Sequence, residues 1–465
     1  MVFSSVLFLF YFLAPLIPLY FFVPQKYKNL LLFIASLFFY GWGEPVYVFL
    51  MIFSAFFNYI IAFPINKYRE KSRIPLIISC IVNLGMLGVF KYTDFLISTV
   101  NGLFRVNIPL ANIALPIGIS FYTFQALSYC IDVYRGKTKV QKSFVTFGMY
   151  LSFFPQLIAG PIVTYASVRE QMHAERKFSL SDFGEGTKTF VLGLGLKVIL
   201  ANQLGNLWST LSTIGYESVS TPLAWLGLIA YTFQIYFDFF GYSLMAMGLG
   251  KMLGFDLPEN FNHPYISRSM TEFWRRWHMT LGSWFREYVY IPLGGSRVSK
   301  PRMIFNLFVV WVFTGLWHGA SLNFVLWGLI LFVFIMIEKL FLKNILDKYK
   351  WLGHIYMIIL IPLSWALFAI TDFSQLAVFF GRLFPFMASA GSQQLVIYRY
   401  DFIKYAKEFG MLLIAGVFFS TELPYKLLKK YKDSIFETVF LLVVFYIAVY
   451  CMYKGLNDPF LYFRF

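Results

Sequence analysis

Long apolar stretches recur along almost the whole chain, and they constrain its fold more than any other feature. They lie near residues 3–23, 29–41, 45–63, 74–90, 110–131, 144–162, 187–203, 221–248, 303–317, 322–341, 353–371, 409–420 and 434–453. A helix that crosses a bilayer needs about 17–25 residues, so several of these stretches are too short to cross unaided. We expect about eleven transmembrane helices, with the shorter stretches forming re-entrant and interfacial helices.

The composition excludes most other classes of protein. Hydrophobic residues make up 59% of the chain and charged residues 13%, whereas a soluble domain is about 45–50% apolar and roughly 25% charged. So few charges cannot cover a soluble surface of this size, which excludes an ordinary soluble enzyme, a disulfide scaffold and a disordered chain. We therefore expect an all-α, multi-pass protein of the inner or plasma membrane, with one domain over residues 1–465.

The positive charge predicts topology rather than nucleic-acid binding. The chain has 39 Lys and Arg against 23 Asp and Glu, a net charge of +16. The basic residues cluster in short connectors, at Lys26 and Lys28, at 67–73 and at 135–142. Because cytoplasmic loops carry excess Lys and Arg, we expect an extracytoplasmic N-terminus and a cytoplasmic C-terminus. We also expect contact with membrane lipids and no nucleic-acid partner.

Common soluble signatures do not occur in the sequence. The three cysteines form no CxxC pair, which gives no support for a disulfide framework or a metal site. Residues 2–23 have no basic region before them, so we expect a first span rather than a signal peptide. HExxH, GxSxG, P-loop and GxGxxG patterns do not occur either. Any reaction must therefore use a different arrangement of residues.

His318 is the most informative polar residue. It lies in the otherwise apolar run 311–320, between Gly315 and Gly319. An ionisable group at membrane depth is costly and usually faces a cavity or pathway. A buried neutral imidazole can accept a proton, so His318 is a candidate general base. The alternative is a structural histidine that is hydrogen-bonded between helices, and the residues alone leave both interpretations open.

The segment 251–302 mixes charge with aromatic rings, a composition typical of a membrane interface. It contains His278, which is either functional or caps a packed aromatic face. Its arginines suit lipid phosphates or the phosphates of an acyl donor. Candidate substrate- or donor-binding residues in this segment are Trp274, Arg275, Arg276, Trp277, Arg286 and Asn262.

Asp238 and Gln234 lie in a second aromatic run, 231–242. A carboxylate among so many rings should be paired or protonated. Asp238 is therefore a candidate either to orient a catalytic histidine or to hold an arginine, and both residues join the candidate binding set. The roles of Glu272, Glu287 and Asn260 cannot be separated by sequence.

Several motifs together resemble one known family. They are Phe39–Gly43, Leu115–Gln125, Phe153–Ile162, Phe255–Phe261, Trp274–Tyr290, Pro292–Gly295, Trp317–Gly319 and Pro459–Phe465. In these motifs the chain resembles the membrane-bound O-acyltransferase family, in its bacterial alginate O-acetyltransferase-like branch. The resemblance implies an active-site histidine at His318 and a second important histidine at His278. It also implies a helical shell around a central tunnel, with 251–302 forming the cytosolic-side funnel.

The expected activity is acyl transfer from a cytosolic thioester, acetyl-CoA or another acyl thioester, with no tightly bound cofactor. The resemblance implies acetylation of hydroxyls on an extracytoplasmic polysaccharide or peptidoglycan, directly or through a secreted or membrane-anchored SGNH-type partner. D-alanyl transfer to teichoic acid from a carrier protein is the alternative within the family, although Ile291–Gly295 looks more like the acetylation branch. A transporter or flippase without acyl transfer is the alternative from another class, and the absence of a visible repeat weighs against it.

Overall fold

The structure, a computed structural model, describes residues 1–158, 160–387, 400–455 and Leu461. It divides into two compact units, of which the first comprises Met1–Phe190 and Ser243–Glu259 and the second Val191–Tyr242 and Asn260–Phe465. The described residues form helices and connecting loops, with one isolated antiparallel bridge between Phe261 and Trp277. The predicted all-α class is confirmed, and one domain over 1–465 stays a prediction.

The first unit is built from consecutive helices that begin near the N-terminus. They are α1 (Leu7–Phe22), α2 (Gln25–Gly43), α3 (Tyr47–Tyr68), α4 (Ile74–Phe104), α5 (Ile119–Tyr134), α6 (Phe144–Ser152), α7 (Phe154–Leu157) and α8 (Tyr165–His173). Pro24 directly precedes α2, and Pro75 lies in the first turn of α4. A proline is tolerated there because the N–H that it lacks has no partner within the helix.

Two long helices continue from one unit into the other, α9 (Leu180–Ile214) and α10 (Thr221–Met252). The second unit continues with α11 (Met270–Arg276), α12 (Met279–Phe285), α13 (Lys300–His318), α14 (Leu322–Lys348), α15 (Lys350–Ala369), α16 (Phe373–Leu383), α17 (Asp401–Phe419), α18 (Leu423–Lys430) and α19 (Ile435–Tyr453). Short 3₁₀ turns cover Tyr216–Ser218, Pro264–Ile266 and Pro385–Met387. The π-helical segments are Leu7–Leu13, Gly88–Tyr92, Leu196–Ala201, Arg286–Tyr290 and Glu338–Leu342.

Many of these helices are suited to a membrane. Within the described part of the chain, seven are long and apolar enough to cross a bilayer: α3, α4, α9, α10, α14, α15 and α19. Helices α17 and α18 meet at 72° and together add an eighth candidate. The multi-pass membrane architecture is confirmed, whereas about eleven crossings, the central tunnel and the orientation of the termini stay predictions.

Helices α13 and α14 approach each other closely because glycines lie at their contact. A Cβ atom on Gly315 would lie 2.4 Å from the carbonyl oxygen of Phe324, and one on Gly328 would lie 2.4 Å from that of Trp311. Small residues allow membrane helices to pack backbone to backbone. This contact fixes the end of α13, where His318 is the last helical residue.

We predict that Gly315→Ala and Gly328→Ala each destabilise the protein. The added methyl group meets a backbone carbonyl that cannot rotate away, and overpacking of this kind costs about 1–3 kcal/mol. The apparent melting temperature of the detergent-solubilised protein measures the effect. Gly410→Ala on α17 is the matched control, because a Cβ atom there meets nothing within 4 Å. Equal melting temperatures for all three variants would contradict the prediction.

Candidate active site

His318 is buried among aromatic rings at the end of α13, with 8% of its surface exposed. Its ring centroid lies 5.1 Å from that of Trp317, 5.2 Å from Trp327 and 5.4 Å from Phe368, and all three contacts are edge-on. Gly319 then continues in an extended conformation. The imidazole is therefore held by ring packing in surroundings that exclude water.

A small cavity lies against the His318 ring in the second unit. Its lining residues come from α10, α13, α15, the segment before α12 and the C-terminal region. They are Ile235, Asp238, Phe239, Trp277, His318, Trp365, Phe368 and Leu461. The walls are mostly aromatic, with one imidazole and one carboxylate. Such a cavity, apolar with a few polar groups, is the usual form of a small-ligand site.

His278 lies at the start of α12 in a strained backbone conformation. Its φ angle is +45°, in the left-handed region that non-glycine residues rarely adopt. Two backbone hydrogen bonds hold the turn, from Met279 N to the Asn260 carbonyl and from Asn262 N to the Arg276 carbonyl, each at 2.9 Å. Strain of this kind persists only where the surroundings enforce it, and it often marks a functional site.

Asn260 determines which nitrogen of His278 carries the proton. The Asn260 side-chain oxygen accepts from the Thr280 backbone N–H at 3.3 Å and from the Thr280 hydroxyl at 2.9 Å. The same oxygen lies 2.9 Å from His278 Nδ1. Because an oxygen that accepts from a backbone N–H must be the carbonyl oxygen of the amide, Nδ1 must be the donor to it. A neutral His278 then presents an unprotonated Nε2, which can accept a hydrogen bond.

His278 is kept neutral by its surroundings. It is 3% exposed, and burial lowers its pKa well below the usual value, with a smaller lowering from the nearby His318. Its ring packs edge-on against Phe239 at 4.7 Å and lies 5.8 Å from Trp317. Phe239 also lines the cavity, so the two histidines lie at neighbouring positions of the same site.

Asp238 is paired with a lysine. Its carboxylate lies 2.6 Å from Lys197 Nζ, and both side chains are almost fully buried. Its second oxygen accepts from the Leu461 backbone N–H at 2.9 Å, and Lys197 also donates to Asn202 at 2.7 Å. The pair links α9 to α10 at the cavity wall.

The helix before His278 is anchored by a buried glutamate, Glu338 of α14. Its carboxylate accepts from the backbone N–H of Met270, from that of Thr271 at 3.0 Å, and from the Thr271 hydroxyl at 2.9 Å. These groups belong to the first turn of α11, whose N–H groups have no partners within the helix. The anchored helix leads directly to Trp277, whose ring lies 4.9 Å from that of Trp365.

The structure brings some candidates to the cavity and leaves others away from it. His318, Trp277 and Asp238 line the cavity, and His278 lies beside it. Trp274 packs instead on Trp311 and Trp327, at 5.3 and 5.4 Å. The remaining candidates do not line it. Arg276 pairs with Glu272 at 3.0 Å, and Gln234 is buried against Gly205. Arg275, Arg286 and Asn262 are exposed. Their binding roles stay predictions.

Several residues of the site carried no distinguishing signal in the sequence. Asn260 was one of several polar residues in a long segment, and Lys197 was one of many lysines. Phe239, Trp365 and Phe368 lie in apolar stretches where aromatic residues are common. Of the motif at 459–465, Leu461 alone lies among the described residues, and Ala159 of the motif at 153–162 lies outside them.

Comparison with known proteins identifies similar sequences. The model of the family described as MBOAT, membrane-bound O-acyltransferase, matches residues 137–350. The chain is 40% identical over 406 residues to "Probable alginate O-acetylase AlgI" of Pseudomonas aeruginosa, covering 85% of this chain and 76% of that protein.

More distant relatives carry other names. The chain is 36% identical over 367 residues to a peptidoglycan O-acetyltransferase of Helicobacter pylori, covering 71% of this chain and 69% of that protein. It is 31% identical over 255 residues to a teichoic acid D-alanyltransferase of Bacillus subtilis, covering 52% of this chain and 64% of that protein. The similarity therefore extends over more of the chain for the two O-acetylating relatives than for the D-alanylating one.

We predict that Asn260→Ala destabilises the protein by about 1–3 kcal/mol, the cost of leaving buried donors without an acceptor. Asn260→Asp retains an acceptor oxygen and should lose less. The apparent melting temperature measures both variants. Asn262→Ala is the matched control, because the Asn262 side chain is exposed and its hydrogen bonds with Arg276 use backbone atoms of Asn262. If the two alanine variants have the same apparent melting temperature, Asn260 does not organise the turn.

Proposed function

The chain belongs to the membrane-bound O-acyltransferase family, and from this membership we propose that it transfers an acetyl group from a cytosolic acyl thioester to hydroxyls of an extracytoplasmic polymer. The observation that carries the proposal is the cavity against His318, with His278 beside it. Acyl transfer to a hydroxyl needs a group that removes the hydroxyl proton and a dry space that holds both reactants. His318 is the candidate for the first, and the cavity against it is the proposed place where the reacting ends of the two substrates meet.

His318 is the proposed general base. Its imidazole takes the proton of the acceptor hydroxyl as the oxygen attacks the thioester carbonyl. A C–O bond forms, the C–S bond breaks, and the proton passes from His318 to the departing thiolate. The aromatic walls around His318 exclude water, which limits hydrolysis of the thioester and strengthens the electrostatic interactions inside.

His278 is proposed to orient the acceptor molecule rather than to polarise the thioester carbonyl. Polarising a carbonyl oxygen requires a hydrogen-bond donor. Because Nδ1 of His278 donates to Asn260, Nε2 of the neutral ring can only accept. An accepting nitrogen beside the cavity suits a hydroxyl group of the acceptor next to the one that reacts, because the proton of the reacting hydroxyl goes to His318.

Acetyl-CoA is the proposed donor, bound as a substrate rather than as a resident cofactor. Arg275 and Arg286 lie on the segment 251–302 with exposed side chains. Guanidinium groups suit phosphate, so these residues are candidates to contact the nucleotide part of the donor. This agrees with the proposal that the segment forms a funnel on the cytosolic side.

The acceptor proposal rests on the names of the relatives. One relative is named for alginate, a polysaccharide, and another for peptidoglycan. We propose an acceptor of one of these two classes, reached directly or through a secreted or membrane-anchored partner of the SGNH type. The basic connectors support a topology with an extracytoplasmic N-terminus and a cytoplasmic C-terminus.

D-alanyl transfer is the second candidate within the family, because a relative that matches about half of the chain is named for it. Proteoliposomes supplied with labelled acetyl-CoA, and separately with a D-alanyl-loaded carrier protein, distinguish the two donors. Covalent acetyl label on a hydroxyl acceptor or partner supports acetylation. Coenzyme that crosses the bilayer intact, without covalent label, would support a transporter instead.

We predict that His318→Ala inserts and folds but loses transfer by a factor of about 10²–10⁴, the usual contribution of a general base. Release of coenzyme thiol, together with label on the acceptor, measures the rate. His354→Ala is the matched control, because His354 lies with an exposed side chain on α15. A wild-type rate in the His318 variant would overturn the mechanism.

We predict a different kinetic signature for His278→Ala. Loss of the hydrogen-bond acceptor on His278 should raise KM for the acyl acceptor or lower kcat. KM for acetyl-CoA should stay near the wild-type value. Initial rates measured with each substrate varied in turn separate these effects. A rise confined to KM for acetyl-CoA would assign His278 to the donor and contradict the proposed role.

A further inference from the structure

Two buried cations lie together at the start of α2, in the first unit and apart from the residues discussed above. Lys28 and Arg176 are each 5% exposed. Lys28 Nζ donates to the backbone carbonyl of Arg176, and Nη2 of Arg176 donates to the Asn29 side-chain oxygen. These contacts hold the two positive groups near each other.

Aromatic rings surround both charges. Lys28 Nζ lies 4.8 Å from the Tyr20 ring centroid and 5.2 Å from that of Phe21. The Arg176 guanidinium lies 4.8 Å from the Phe255 centroid and 6.0 Å from that of Tyr20. Cation–π attraction offsets part of the cost of burying a charge, but it leaves the charge uncompensated.

Neither cation has a carboxylate partner in the part of the chain that the structure describes. Glu175, the acidic neighbour of this pair, is mostly exposed and bonds to Lys177 at 3.2 Å. Among the same described residues, Nε and Nη1 of Arg176 are buried without a hydrogen-bond partner. The pair therefore combines excess positive charge with N–H donors that no described group of the protein uses.

Hydrogen bonds and close packing hold Arg176 in place without a bound ligand. Its backbone N–H donates to the Gln25 side-chain oxygen at 3.2 Å, and the Asn29 amide nitrogen is fixed by the Met172 carbonyl at 3.1 Å. Gly254 has a φ angle of +82°, and a Cβ atom there would lie 3.1 Å from Arg176 Cγ. A cation that is held in place loses little conformational freedom when an anion binds to it.

The rim of this pair, meaning the exposed residues that flank it in the chain, has the composition of a membrane interface. Phe22, Phe178 and Leu180 expose more than half of their surfaces, at 87%, 55% and 76%. Lys26 and Lys177 lie exposed beside them. Exposed apolar groups next to lysines are typical of a segment that meets lipid tails and charged headgroups together.

We propose that Lys28 and Arg176 form a binding site for the phosphate of an anionic membrane phospholipid. A phosphate oxygen suits both the N–H donors of Arg176 and the point charge of Lys28. The exposed apolar rim favours a lipid over a free anion, because it offers contact area to acyl chains. The site would tie the start of α2 to the membrane surface, and it does not depend on the acyl-transfer proposal.

The test compares lipids on the full-length protein purified in a neutral detergent. Phosphatidylglycerol, phosphatidylcholine and inorganic phosphate are titrated separately, and the shift in apparent melting temperature gives the affinity. We expect a shift with phosphatidylglycerol that neither of the other two reproduces. Lys28→Met should weaken phosphatidylglycerol binding by about 10–100-fold, as expected for one charge-assisted contact, whereas Lys28→Arg should retain it.

The matched controls are Lys26→Met and Lys177→Met, which remove exposed charges from the same rim and should leave affinity nearly unchanged. Equal affinities for the wild type and Lys28→Met would overturn the proposal. So would equal shifts with phosphatidylcholine, which carries no net charge, or a shift with inorganic phosphate alone. If Lys28→Met fails to fold, native mass spectrometry of the wild type replaces it. Preferential retention of phosphatidylglycerol over phosphatidylcholine supports the proposal, and equal retention overturns it.

Discussion

The hydrogen bonds to the Asn260 side-chain oxygen are the contacts on which the candidate active site depends. One oxygen accepts from His278 and from two groups of Thr280, and this arrangement selects a single tautomer of the imidazole. It also helps to hold His278 in a left-handed backbone conformation. In a water-excluded interior such a network gains strength, and an incomplete one is costly. The geometry of His278 therefore depends on Asn260, a residue to which the proposed reaction assigns no chemical step.

A second constraint is the need to bring two histidines together in dry surroundings. Gly315 and Gly328 let α13 and α14 pack backbone to backbone, which fixes the end of α13 and hence His318. Glu338 on α14 holds the first turn of α11, and that helix leads into His278. Helix α14 thus positions both histidines. It packs through glycine against α13, and its Glu338 side chain accepts hydrogen bonds from α11.

The sequence predicted much of this architecture, because hydropathy and the scarcity of ionisable residues are strong signals in a membrane protein. The all-helical, multi-pass class followed from apolar stretches that only a bilayer accommodates. His318 and His278 stood out as candidates since the chain has only five histidines. The number of crossings was harder to predict, because buried and lipid-facing helices are similar in composition. In the structure α10 is mostly buried while α19 is mostly exposed, yet both pass the same test of length and hydropathy.

The rest of the site could not be predicted, because it depends on contacts between residues far apart in the chain. Asn260 resembles any polar residue of a long interfacial segment until its oxygen is placed against His278. Trp365 and Phe368 are ordinary members of an aromatic-rich stretch until folding brings them to His318. Lys197 gains its importance only from Asp238, which lies on the next helix.

The buried charges of the two units differ in a way that bears on what each unit does. Lys197 and Asp238 neutralise each other within the protein, and removing either one would leave an uncompensated charge. Lys28 and Arg176 are also buried, yet the described residues provide carbonyl and amide oxygens for them but no negative charge. A fold that needed only structural stability would gain from replacing such cations with apolar side chains of similar volume. Keeping two positive groups beside an exposed apolar rim is better explained by an anion that comes from outside the chain, and the membrane is the nearest source of one.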